Sequence, residues 1–168
     1  LEQRIIELED RVALKNLVDT FSNLSDTKEA ELQAQLFTDD AKVKTLYEGK
    51  VVVELKGRKQ IAKVFGDFLA RQEAVYHIMM GVAQFLKDKQ AVLQLEFDEP
   101  RETVTLNGNN ATGISYCQVT LIAVVEGKRM LTQQGVRYND EYQKIDGKWY
   151  IKSRVSNFMW RDVHELKQ

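Results

Sequence analysis

Apolar residues recur at helical spacing through the first part of the chain. Ile5, Leu8 and Val12, then Leu14, Leu17, Val18, Phe21 and Leu24, repeat every three or four positions and predict an amphipathic helix. Asp26-Thr27-Lys28-Glu29 has the form of a capping box, a short acceptor followed three residues on by a carboxylate that can reach back. It predicts a second helix with Ala30, Ala34 and Phe37 on one face, broken by Thr38-Asp39-Asp40. The period then changes to two. Val43, Thr45 and Tyr47, and after Glu48-Gly49-Lys50 the set Val51, Val53 and Leu55, predict a hairpin that Gly57 ends. Ile61, Val64, Phe65, Phe68 and Leu69 return to helical spacing.

From Ala74 onward nearly everything alternates. Leu93, Leu95 and Phe97 alternate with Gln94, Glu96 and Asp98, and the stretch from Thr103 to Leu106 leads into the turn Asn107-Gly108-Asn109-Asn110. Residues 111–125, 129–144 and 148–159, joined by Glu126-Gly127-Lys128 and Asp146-Gly147, predict a meander of three long antiparallel strands. Helices first and strands later is the α+β pattern, here over a single domain, residues 1–168.

Composition narrows the function. Lys and Arg number 24 against 25 Asp and Glu, so no basic excess points to nucleic acid. One cysteine, Cys117, excludes an intrachain disulfide and a Cys-based zinc site. Two distant histidines, His77 and His164, make a poor metal set, so neither metal nor cofactor is expected. No apolar run approaches the ~20 residues that span a bilayer, and Leu1-Glu2-Gln3-Arg4 does not read as a signal peptide. The expectation is a cytoplasmic protein with no membrane partner.

Several segments resemble a known family. Asp26-Thr27-Lys28-Glu29 with Leu36-Phe37-Thr38-Asp39-Asp40-Ala41 is similar to the opening of SnoaL-like proteins in the nuclear transport factor 2-like (NTF2-like) superfamily. Gly135-Val136-Arg137-Tyr138-Asn139-Asp140-Glu141-Tyr142, then Asp146-Gly147-Lys148-Trp149-Tyr150-Ile151 and Ser153-Arg154, is similar to that family's close. The resemblance implies a cystatin-like cone, three helices wrapped by a curved antiparallel sheet, with a pocket at the open end. Within that superfamily the chain resembles the group of scytalone dehydratase, polyketide cyclases and small subunits of ring-hydroxylating dioxygenases. One segment departs. Family members run from the histidine region to the "N-G" hairpin in roughly a dozen residues, whereas His77 and Asn107 are 30 apart here, so residues 82–104 read as an inserted hairpin or a lengthened pair of strands.

The resemblance also nominates residues. His77 lies where the dehydratases carry a pocket histidine, and a histidine can pass a proton either way near neutral pH. Asp26 falls where they carry the carboxylate that orients it, although its place before a predicted helix is explained equally by N-capping. Their other site residues are mostly replaced: Ser25 and Thr45 stand for tyrosines, Leu121 for a second histidine, Tyr138 for an asparagine. Tyr47 and Tyr116 could polarise a carbonyl, and Tyr47, Met79, Tyr116, Tyr138 and Trp160 are candidates to contact the ligand. Arg137 and Tyr138 alternate, so only one of them faces the pocket. Trp160 is expected near the pocket mouth or at a dimer contact.

The function expected is that of a small-molecule pocket protein. It would be a cofactor-independent dehydratase, isomerase or cyclase using Asp26 and His77 on an apolar or polycyclic ligand. The alternative is a non-catalytic binding or assembly module on the same fold. The strands carry apolar residues on both faces and the helices cover only one, which predicts a homodimer packed through the outer sheet face.

Overall fold

The computed structural model describes residues 1–79 and 103–167. Three helices are followed or interleaved by seven strands: α1 Glu2–Asp26, α2 Ala30–Ala34, β1 Phe37–Tyr47, β2 Lys50–Lys56, α3 Arg58–Ala70, β3 Ala74–Met79, β4 Thr103–Asn107, β5 Asn110–Val125, β6 Lys128–Ile145 and β7 Lys148–Glu165. The strands form one sheet in the order β2-β1-β7-β6-β5-β3, with β4 also on β5. The fold is α+β, as expected. The expected inserted hairpin at 82–104 lies almost entirely outside the described residues.

The sheet is not wholly antiparallel. β1 runs parallel to β7, from Lys42 opposite Ser153 to Tyr47 opposite Phe158, while every other strand pair among the described residues is antiparallel. Tight turns force antiparallel neighbours, but β1 and β7 are joined through the rest of the chain, so no turn fixes their relative direction.

The capping box does not form. Asp26 ends α1 instead of starting α2, and Thr27 is the C-cap, its hydroxyl within hydrogen-bond reach of Asn23 O and donating to Glu29. The α2 N-cap is Glu29, which makes no side-chain cap. The carboxylate of Asp26 is engaged elsewhere, and that diversion builds the site described below.

The apolar stripe of α1 is buried only from Leu14 onward; Ile5, Leu8 and Val12 are exposed. Asp10 pins the helix beside the sheet, accepting from Trp149 Nε1 at 2.9 Å and pairing with Lys144 at 2.7 Å. Below that point Leu14, Leu17, Val18 and Phe21 pack on Phe37, Val43, Ile61, Tyr142, Trp149 and Ile151 in the main core. Gly57 adopts φ +82° between β2 and α3, a conformation that side chains rarely take, and so turns the chain into the helix that closes one side of the cone.

Two irregularities in the β6–β7 hairpin decide which side chains point inward. The register shifts between Glu141 and Tyr142, and again between Gly135 and Val136. At the first, Lys152 has no partner and Arg154 comes opposite Asp140. At the second, Met159 has none and Trp160 comes opposite Gly135. Each extra residue reverses the in–out alternation beyond it.

Candidate active site

Between the sheet's inner face, the end of α1 and α3 lies a cavity of about 670 Å³. Aromatic rings dominate its wall: Phe21, Phe65, Phe68, Tyr138 and Phe158, with Val43, Leu55 and Val64 between them. The polar groups in the wall include Ser25, Gln33, Thr45, His77, Arg154 and Ser156. Such a lining, mostly apolar with a few placed polar groups, suits a small organic ligand.

His77 is delivered by β3, where it pairs with Val119 of β5. Its neighbours Tyr76 and Ile78 point outward and are exposed, while the His77 side chain is only 6% exposed. The ring Nδ1 stands 2.6 Å from Asp26 Oδ1, and the His77 backbone N–H donates to Asp26 Oδ2 at 3.2 Å. Each carboxylate oxygen therefore has its own donor on the same residue. A carboxylate can only accept, so Nδ1 must carry the proton, and the lone pair is left on Nε2. Asp26 itself does not line the cavity; it stands behind the ring that does.

A second charged pair is sealed in the wall. Arg154 donates through Nε to Asp140 Oδ1 at 2.8 Å and through Nη2 to Oδ2 at 2.7 Å, both side chains being 1% exposed. Tyr142 donates its hydroxyl to Asp140 Oδ2 at 2.8 Å. The guanidinium carbon lies 4.1 Å from the Phe21 ring centre and 4.2 Å from that of Tyr138. Burial works to lower the Arg154 pKa, but the charge and hydrogen bonds of Asp140, with the neighbouring phenols, outweigh it and raise the value, so the group stays cationic. Tyr138, raised chiefly by burial, stays a neutral phenol.

The other nominated residues divide. Tyr138 lines the cavity and Arg137 does not; Arg137 lies instead beside the Tyr116 ring. Tyr116 sits between the inward Ser115 and Cys117 on β5, so it faces out, and it does not reach the cavity. Tyr47 shares the face of Val43 and Thr45 but is the last residue of β1, past the wall. Met79 faces inward and packs in the core, with Ser22 Oγ 3.9 Å from its sulfur, without lining the cavity. Trp160 lies on the outer face against Gly135, turned there by the second register shift.

Arg154, Gln33, Phe21 and Phe158 line the site and were not among the nominated residues. Cys117 is fully buried, and burial pushes its thiol up to about 12, which removes it as a nucleophile. Among the described residues no group of three or more His, Cys, Asp or Glu could hold a metal ion, and no helix is long and apolar enough to cross a membrane.

Residues 6–96 and 101–155 match the model of the SnoaL-like domain. The chain belongs to that family. Solved structures agree on the NTF2-like, cystatin-like fold. A presumed scytalone dehydratase from Novosphingobium aromaticivorans is 15% identical, with 98% of this chain and 93% of that one covered at a TM-score of 0.73. A hexachlorocyclohexane dehydrochlorinase, LinA type 2, is 16% identical over 98% and 93%, with a TM-score of 0.71. A presumed aromatic ring hydroxylase from N. aromaticivorans is 17% identical over 95% and 94%, at 0.70. At these identities the likeness shows the fold alone. No curated protein sequence matches the chain.

Proposed function

We propose that this SnoaL-like protein is a cofactor-independent lyase or isomerase acting on a small, ring-bearing ligand. The observation that carries the proposal is the Asp26–His77 pair at the wall of an aromatic cavity. His77 Nε2 removes a proton from carbon next to a ligand carbonyl. The electron pair moves onto the carbonyl oxygen, and the buried Arg154 cation is the charge that stabilises it. Tyr47 and Tyr116, off the wall, do not take that part. From the enolate two outcomes balance. Collapse with loss of a β-hydroxyl, protonated by the His77 imidazolium, gives water and an enone. Return of the proton to another carbon gives an isomer. Asp26 fixes the tautomer and stabilises the imidazolium in between. Two of the structural relatives are named for eliminations, one of water and one of hydrogen chloride, which supports the same class of step.

A non-catalytic ligand-binding module is the second reading, favoured by the absence of Tyr47 and Tyr116 from the wall. Deuterium uptake separates the two. 2-Tetralone, a bicyclic ketone with an acidic C1–H, is followed by NMR in D2O at neutral pH. The enzymatic reading expects the protein to accelerate exchange at C1 and His77→Ala to return it to the buffer rate. Binding of 2-tetralone with no acceleration would leave the module.

A further inference from the structure

Two polar side chains in the cavity wall are only half satisfied. Gln33, on α2, is 1% exposed and donates Nε2–H to the backbone carbonyl of Phe21 at 3.0 Å. A carbonyl can only accept, so the atom facing it must be the amide nitrogen, and the position of Oε1 follows. That Oε1 is buried and has no hydrogen-bond partner among the described residues. Arg154 is in the same condition: Asp140 takes Nε and Nη2, and Nη1 is buried without a partner. Both residues line the cavity, and both converge on Phe21, Gln33 at its carbonyl and Arg154 over its ring. Among the described residues the two other unpartnered buried atoms, Ser115 Oγ and Arg137 Nε, belong to residues outside the cavity wall.

An orphaned acceptor and an orphaned donor, buried on two side chains of one cavity wall, are complementary to a ligand that brings the opposite groups. Native proteins rarely leave buried polar atoms unpaired, because each forfeits its hydration for nothing in return. We propose that Gln33 is a specificity-determining residue whose Oε1 accepts a hydrogen bond from a ligand hydroxyl, while Arg154 Nη1 donates to a separate, electron-rich oxygen. The substrate class is then a hydroxylated ring compound that also carries a carbonyl. This rests on the reading of the cavity as the ligand site but not on turnover, so it can fail while proton transfer stands.

The probes are 2-naphthol and 2-methoxynaphthalene, which share a skeleton and differ in whether the oxygen can donate. Affinities are measured calorimetrically for the wild-type protein, Gln33→Met and His77→Ala, with thermal melts of each free protein as the folding control. We expect the wild type to prefer 2-naphthol by about tenfold. Gln33→Met should bring the two ligands within about twofold of each other, and His77→Ala should retain the preference. Equal affinities in the wild type, binding of neither probe, or a preference that survives Gln33→Met would overturn the proposal. So would loss of the preference in His77→Ala, since the hydroxyl would then sit on the histidine. If Gln33→Met does not fold, the wild-type and His77→Ala titrations decide by the same criteria. The 2-tetralone exchange reports separately on the dyad.

Discussion

Arg154 and Asp140 face each other across the β6–β7 hairpin, joined by two hydrogen bonds of 2.8 and 2.7 Å and shut off from solvent. Neither charge can be removed singly without stranding the other in a low-dielectric interior. Asp140→Ala should therefore cost about 3–5 kcal/mol. The double variant Asp140→Leu with Arg154→Met should recover much of that loss, because it removes both desolvated charges. Urea denaturation of the three proteins checks this, and a double variant weaker than Asp140→Ala would contradict it.

The dyad makes a separate prediction. His77→Ala deletes the base yet leaves Asp26 its bond to the His77-position backbone N–H, so the fold should persist. The rate of 2-tetralone exchange should fall by about 10²–10⁴-fold with binding unchanged, as expected when the loss lies in the transition state. Asp26→Asn keeps an acceptor for the ring but no charge to stabilise the imidazolium. Its exchange rate should fall less than in His77→Ala, with affinity for 2-tetralone retained.

The elements and the Asp26–His77 pairing could be anticipated, while most of the cavity wall could not, and for Arg154 the cause is local. Counted back from the Asp146-Gly147 turn, a regular hairpin would set Asp140 opposite Ser153 and turn Arg154 outward with Tyr150 and Lys152. The single extra residue at Lys152 places Arg154 opposite Asp140 instead, facing in. Bulges of this kind have no strong signature in an alternating sequence. Asp26 was ambiguous for a different reason. A short acid at a helix boundary is a good N-cap wherever a free N–H is available, and only the position of β3 decides that it serves His77. Gln33 carries no pattern at all, since one amide on a five-residue helix becomes informative only when its oxygen is found unpaired.

Asp10 supplies a pH dependence. Its burial raises the carboxyl pKa, but the hydrogen bonds from Lys144 and Trp149 outweigh that and hold it below its ordinary value of 3.8. A depressed folded pKa contributes stability that is present above the unfolded pKa and is lost as pH falls through the folded one. Asp10→Asn should therefore be less stable than wild type at pH 7, by on the order of 1 kcal/mol. The gap should narrow below pH 3.8 as the wild-type carboxylate is protonated. Chemical denaturation at pH 7 and pH 2.5 tests it, and a gap of constant size would sink the assignment.

The outer sheet face presents Tyr76 and Ile78 on β3 and Trp160 on β7, all more than 40% exposed. Ile78, Gln118, Gly135 and Trp160 follow one another across four strands, so the exposed apolar groups share a surface. Open apolar patches of this kind are commonly partner surfaces, and we expect a second copy of the chain to cover this one. Sedimentation equilibrium should give twice the 19.4 kDa chain mass at micromolar concentration, and Ile78→Lys should give the monomer. A wild-type protein sedimenting at 19.4 kDa would rule the dimer out.

Phe158 and Trp160 are two residues apart on β7 and, by simple alternation, would share a face. The register shift with Met159 unpaired separates them. Phe158 pairs with the fully buried Val136 and lines the cavity, whereas Trp160 pairs with Gly135 on the outer face. The Trp160 ring lies so close over Gly135 that a Cβ there would overlap its Nε1, which is why glycine suits that position. The two aromatics should then respond differently to truncation. Phe158→Ala removes part of the cavity wall and should weaken 2-naphthol binding by about tenfold, the scale of a buried aromatic contact. Trp160→Ala removes no wall and should leave that affinity within about twofold. Gly135→Ala should push the Trp160 ring off the sheet, again with ligand affinity intact, since the displaced ring is on the far side from the cavity. Calorimetric titration of the three variants is the check. A tenfold loss in Trp160→Ala with none in Phe158→Ala would mean that the ligand binds on the outer face, not within the cone.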